Sequence, residues 1–244
     1  LILPFTIFVI RKNPQEKNMT AYGEEIAEKL SHSVDNQIGT PLNQAIKSFS
    51  FYAVFIFTGL LGLIVTVSFH IPNHLQSQGS STTFAATIVT CVMIGQTSGK
   101  FLLGWLNDKV GIKITNTVGI GSGMIGILLI LFSGNSSTLP LYIGGLAFGI
   151  GYSTSTLLPP IMIKTIFGNR DYASIYSIIM AASTLAIAAG TTIFGFAYDI
   201  TGSYYAVFFG VLAIQTFAIV LSVLTLRRKA PVSINNTNLA INKN

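Results

Sequence analysis

The sequence predicts an all-α membrane protein built from six transmembrane helices. Three observations carry that prediction. Only 9% of the 244 residues are charged while 50% are hydrophobic, far from the roughly 25% charge that a water-facing surface requires. Six apolar stretches are each long enough to cross a ~30 Å hydrocarbon core, and five of them lack Asp, Glu, Lys and Arg altogether. The basic residues outside the stretches all fall on one side of them. The net charge of +6 is therefore expected to mark membrane topology and not a nucleic-acid partner. With a single cysteine, Cys91, no intrachain disulfide is possible.

Leu1–Ile10 is apolar but makes only ~15 Å of helix, too short to span. It has no basic region before it and no small-residue cleavage site after it, so it does not read as a signal peptide. The chain opens on Leu and not Met. Residues 1–10 are expected to be the end of a preceding transmembrane helix. Residues 11–47 hold most of the acidic side chains and read as a cytoplasmic central loop. Within it Ile26 and Leu30 share a face, and Glu25 precedes Lys29 by one turn, a pattern suited to a short surface helix. A six-helix bundle is expected over 48–226, with spans at Phe49–Ile71, Phe84–Leu106, Ile114–Phe132, Leu139–Ile163, Tyr172–Ala197 and Ala206–Leu226. The connections contain Pro72 with Gly79, Asn107 to Gly111, Gly134–Asn135, Gly168–Asn169 and Thr201–Gly202, where helices stop and turn. The fourth span is expected to break at Pro159–Pro160. Residues 227–244 are rich in Asn and are expected to be a disordered cytoplasmic tail.

Thirteen of the fourteen Lys and Arg residues lie on one face of this arrangement, which the positive-inside rule makes cytoplasmic. The opposite face, holding His70, His74, Asp199 and Tyr204, has none. A multi-pass protein of the cell membrane, in a bacterium the inner one, is expected. The turn after the second span reads Gly104-Trp-Leu-Asn-Asp108-Lys-Val-Gly111, and the turn after the fifth reads Gly195-Phe-Ala-Tyr-Asp199-Ile-Thr-Gly202. The shared Gly-x-x-x-Asp-x-x-Gly sits at corresponding points of two three-helix units on opposite faces. That is the signature of an inverted 3+3 repeat.

The stretch from Gly99 through Gly104, Asp108, Lys109 and Gly111 to Lys113 resembles the cytoplasmic loop motif of the major facilitator superfamily. Gly104 suits close helix approach, Gly111 a tight reversal, and Lys109 with Lys113 a cytoplasmic anchor. Asp108 is suited to cap a helix N-terminus on a partner domain. Arg11-Lys-Asn-Pro14 with Tyr22-Gly-Glu24, Ile71 to Gly79, and Phe167-Gly168 with Tyr172 and Tyr176 are similar to the oxalate–formate antiporter and monocarboxylate porter group. The resemblance implies helices seven to twelve of a twelve-helix fold. It also implies a missing N-terminal six-helix half as partner, alternating access, and symport or antiport of a small organic anion, with protons as a second partner. It implies no cofactor and no enzymatic activity.

Lys100 is the one cation inside a span. A Lys at the bilayer centre costs ~2.5–3.5 kcal/mol, so position alone leaves it evenly open between a snorkelling anchor and a substrate ligand. The family group places a cation at this spot against a substrate carboxylate, which implies the ligand role. That cation is usually Arg, and Lys offers a point charge in place of a bidentate fork. Gln96 stands one turn earlier, where some proton-coupled carriers have an acid. No second cation occurs near Ile178–Met180, so a monocarboxylate is expected over oxalate. Gly144, Gly145, Gly149 and Gly151, then Tyr152-Ser-Thr-Ser-Thr156, are expected to serve mainly helix packing, with Tyr152 as the cavity residue. His70 and His74 are open between sensing external protons and simple solvation. A membrane enzyme would need a base, nucleophile or metal set within the spans, and the sequence supplies none. A channel, a carrier of drugs or sugars, and an inactive half-transporter remain as rivals.

Overall fold

The computed structural model describes residues 39–133 and 138–227. The expectations for 1–10, for the helix around Ile26 and Leu30, and for the tail beyond 227 lie outside the described residues. The described chain is helical: α1 (Leu42–Ala45), α2 (Phe49–Thr66), α3 (Ile71–Ser77), α4 (Thr82–Val110), α5 (Ile112–Phe132), α6 (Thr138–Phe167), α7 (Tyr172–Thr201) and α8 (Tyr204–Arg227). A 3-10 turn at Val67–Phe69 joins α2 to α3, so that together with α4 to α8 six helical rods are long and apolar enough to cross a membrane. The hydroxyls of Ser48 and Ser81 accept the backbone N–H of Phe51 and Phe84, each at 3.2 Å, and so cap α2 and α4.

Two boundaries differ from the sequence expectation. Asn107–Val110 is not a loop: α4 runs through it and the reversal is left to Gly111 alone, at φ 80°. Asn107 and Asp108 are acceptable helix residues, and the left-handed glycine does the turning in one step. The expected break at Pro159–Pro160 does not occur, and α6 continues unbroken through both prolines to Phe167. Each proline lacks the N–H that would bond the carbonyl four residues earlier, at Ser155 and Thr156. Inside a bundle, neighbouring helices hold such a segment helical despite the two lost bonds.

The packing follows a two-fold exchange of units, except that the contact of α6 with α7 is not matched in extent between α2 and α4. α6 lies against α4 and α5, and α2 lies against α7 and α8. Swapping the first unit (α2, α4, α5) with the second (α6, α7, α8) maps each of these pairs onto the other. It also maps α4–α5 onto α7–α8 and leaves α2–α6 and α5–α8 as self-paired contacts. Three crossings per unit make the two units antiparallel in the membrane, which is the inverted 3+3 repeat.

Small residues let the rods touch. A Cβ on Gly99 would lie 2.8 Å from both the Ile150 Cα and the Ser153 Oγ, and one on Gly149 2.8 Å from the Gln96 nitrogen, so α4 and α6 meet backbone to backbone. Gly126 with Gly144, and Gly123 with Gly151, do the same for α5 and α6. Where lipid removes the hydrophobic drive between helices, such close van der Waals seams hold them together. Across α5 and α8 a buried polar pair, Asn116 Nδ2 donating to Ser222 Oγ, adds a directional tie.

The segment leading into the bundle is fastened to the turn between α6 and α7. Thr40 N–H donates to the Phe167 carbonyl at 2.7 Å, Gly39 and Gly168 form an antiparallel bridge, and Leu42 N–H donates to Asp171 Oδ2 at 2.8 Å. Ala45 is fully buried behind this strap, and the Phe51 and Phe167 rings meet edge-on at 6.4 Å.

Candidate functional site

The buried face of α4, Ala85, Ile88, Val92, Gly95, Gly99 and Leu103, repeats every three or four residues and turns toward α6. Lys100 follows Gly99 and lies off that face, exposed, while Gln96 is half-buried one turn earlier. The contact of Gly99 with Ile150 and Ser153 sets Lys100 at the depth of Tyr152 on α6. The three candidate residues thus gather at the α4–α6 crossing, yet no hydrogen bond joins them. Tyr152 is half-buried and packs against the hydrophobic core.

α4 continues past Lys100 for one turn more than the sequence boundaries gave it, through the polar residues Asn107–Lys109, while the distance from Lys100 to the apolar end at Leu106 is unchanged. The midpoint of Thr82–Val110 is Gln96, so Lys100 sits about 6 Å past the middle and about 15 Å from the helix end. Among the described residues it faces no carboxylate in an ion pair. A groove of about 530 Å³ opens beside it along α4, lined by Thr90, Met93, Ile94, Thr97, Ser98 and Phe101. Thr90, Thr97 and Ser98 bond carbonyls of the preceding turn, which satisfies their hydroxyls and leaves the groove surface chiefly apolar. Ser153, Thr154, Ser155 and Thr156 on α6 do likewise, in keeping with a packing role.

The sequence repeat is also a geometric repeat. Gly111 N–H donates to the Asn107 carbonyl at 2.9 Å and Gly202 N–H to the Tyr198 carbonyl at 2.7 Å, with φ of 80° and 65°. Asp108, Lys109 and Lys113 are exposed around the first turn, and Asp199 around the second. Gly104 and Gly195 share a less expected property: a Cβ on either meets nothing within 4 Å. The close approach that Gly104 permits is therefore not made within this bundle. The two glycines lie on α4 and α7, exchange partners in the repeat and the two most exposed spans, each 28% buried against 67% for the first. The open side of α7 carries Ser174, Ser177, Thr184 and Thr191, as that of α4 carries Thr83, Thr87, Thr90 and Thr97.

The sequence model of the Major Facilitator Superfamily matches residues 49–240, from the first turn of α2 to beyond α8. The chain belongs to that superfamily. Two curated relatives are similar to parts of it. The MFS-type transporter YvqJ of Bacillus subtilis (strain 168) is 28% identical over 107 residues, which cover 43% of this chain and 25% of that protein. The sialic acid transporter NanX of Escherichia coli (strain K12) is 30% identical over 80 residues, covering 32% of this chain and 20% of NanX. The matched part of this major facilitator chain thus spans about a quarter of the relatives' length or less.

One cluster was not legible beforehand. His70 and His74 are not solvated: they are 9% and 2% exposed, boxed by aromatic rings from α7 and α8. Only their i, i+4 spacing hinted at a shared environment.

Proposed function

We propose that this chain forms half of a secondary transporter for a small organic anion, with Lys100 as the anion anchor. The observation that carries the reading is an exposed Lys near the middle of a membrane-spanning helix with no carboxylate partner among the described residues. Such a charge is costly in hydrocarbon unless it faces water or a ligand of opposite sign. One cation, with no second in the described spans apart from Lys109, Lys113 and Lys164 near helix ends, suits a single carboxylate, and a monocarboxylate is the first choice. The name of NanX extends the class to a sugar acid, whose carboxylate makes the same demand. Gln96 lies one turn from the anchor, where its amide can donate to the bound anion.

The rest of the transporter is a second six-helix unit packed on the open faces of α4 and α7. Gly104 and Gly195 on those faces, each with open space beside it, suit close contact with helices of another unit. Asp108 and Lys109, at the end of α4, are placed to meet that unit, and Asp108 to cap one of its helices. The face bearing Lys47, Lys109, Lys113, Lys164 and Arg170 is cytoplasmic by the positive-inside rule, in a cell membrane. Apart from Asp108 and Asp199 at helix ends, the described spans hold no carboxylate. Proton coupling, if the cycle uses it, therefore draws its acid from the other unit.

The test is uptake of labelled lactate, pyruvate, formate and sialic acid into proteoliposomes holding the chain together with its complementary half. Losing a charge-assisted contact worth ~2 kcal/mol predicts about a 30-fold drop for Lys100→Gln, with partial activity in Lys100→Arg. Unchanged uptake in Lys100→Gln would remove the anchor.

A further inference from the structure

We infer that His70 and His74 form a proton-responsive latch on the face opposite the basic turns, shut while both rings are neutral and released as they take up protons. The inference uses the orientation proposed above only to say which compartment is sensed. The latch closes α3, the link between α2 and α4, over the turn between α7 and α8.

His74, 2% exposed, meets Phe208 at 4.9 Å, Tyr205 at 5.7 Å and Tyr204 at 6.0 Å, all edge-on. Its Nε2 lies 3.3 Å from Gln78 Nε2, which donates in turn to the Tyr205 hydroxyl at 3.3 Å. A neutral imidazole protonated at Nδ1 accepts that amide proton at Nε2, whereas an imidazolium presents a second donor to it, and the contact becomes repulsive. His70 meets Phe194 at 6.0 Å and Tyr204 at 6.1 Å, and its buried Nε2 has no hydrogen-bond partner among the described residues. Tyr204 stacks on Tyr198 at 4.2 Å, so both imidazoles bear on one aromatic pair at the α7–α8 turn.

The other titratable or charged groups around the box are few. From α7 they are Tyr198 and Asp199, and from α8 Tyr204 and Tyr205. α3 and the residue after it add only the amides of Asn73, Gln76 and Gln78, and the first turns of α4, Thr82–Thr90, carry no ionisable side chain. Asp199 is exposed and bears on the Tyr204 hydroxyl. Among the described residues no carboxylate is thus paired with either ring to hold a charge in place. Even a ring that presents its face returns only ~0.5–2 kcal/mol to a cation, and a ring edge none, less than the several kcal/mol lost by stripping its water. Release of the box restores that water. An imidazole that stays neutral when latched and titrates near pH ~6.5 when free raises the open-to-latched ratio about tenfold between about pH 7.5 and 5.5. The sign is fixed: the latch is fully formed above pH ~6.5 and weakens as pH falls.

Hydrogen–deuterium exchange of the full-length protein in detergent, where both faces meet the buffer, reads the latch without regard to orientation or transport. After correction for intrinsic rates, exchange in 67–80 and 198–208 should rise about tenfold or more from about pH 7.5 to 5.5, with α5 and α6 unchanged. His74→Phe keeps an aromatic ring in the box and should remove most of the response. His70→Phe/His74→Phe should remove all of it. If the phenylalanine variants do not fold, His74→Gln supplies a neutral side chain still able to bond Gln78, with the same expectation. A pH-independent wild type, a uniform rise across the whole chain, or a response surviving in the double variant would overturn the latch.

Discussion

Gly149 and Gly104 look alike in sequence, each a glycine in a membrane span, yet the structure predicts opposite responses to alanine. A Cβ on Gly149 would press on the Val92 carbonyl oxygen and lie 2.8 Å from both the Gln96 nitrogen and the Gly95 Cα. All three are backbone atoms, so no side chain can swing away and α4 must separate from α6. Overpacking of this kind costs about 1–3 kcal/mol, and rigid neighbours put it at about 3. Alanine returns up to ~1 kcal/mol of helix propensity, leaving a net loss of ~2, about 30-fold in the folded fraction. Gly104→Ala meets nothing within 4 Å, so the isolated bundle keeps only the propensity gain of up to ~1 kcal/mol. The two variants should differ by ~3 kcal/mol in unfolding by a strong detergent, followed by circular dichroism. Equal stability for the pair would refute the seam.

Three further outcomes follow from the same contacts. Asp171→Ala leaves Leu42 N–H without its acceptor and should cost ~1–2 kcal/mol, seen as faster amide exchange confined to 39–48. Ser222→Ala strands the buried Asn116 amide and should cost ~1–3 kcal/mol in thermal unfolding, with Asn116→Leu/Ser222→Ala recovering part of the loss. Leu185→Glu on the open face of α7, 69% exposed, should leave this bundle folded but abolish copurification with its complementary half. Retained copurification would separate that face from the assembly.

Much of the fold was legible because hydrocarbon imposes length and apolarity on every crossing, and six stretches met both demands. The inverted repeat was legible because two turns carry the same Gly-x-x-x-Asp-x-x-Gly, and a turn glycine at positive φ leaves a sequence mark. Helix ends near polar residues were less so. Asn107 and Asp108 favour turns in isolation, but a further turn of α4 costs them little once Gly111 supplies the reversal. Pro159–Pro160 looks like a break because the sequence cannot show the neighbours that keep α6 helical. Pairings distant in sequence left no mark at all. Nothing in Leu42 or Asp171 announces a bond across 129 positions, and nothing in His74 announces the rings of Tyr204, Tyr205 and Phe208. For the candidate site, Lys100 stood out by charge alone. The inward packing of Tyr152 and the openness of Gly104 depend on which helix lies alongside, a property of tertiary packing.

The account rests on six helices crossing a bilayer with their basic turns inside. In a Cys91→Ser background, a membrane-impermeant maleimide added to intact cells should label Gln76→Cys on α3 and spare Lys109→Cys until the cells are permeabilised. Labelling of Lys109→Cys in intact cells, or equal labelling of both, would contradict it.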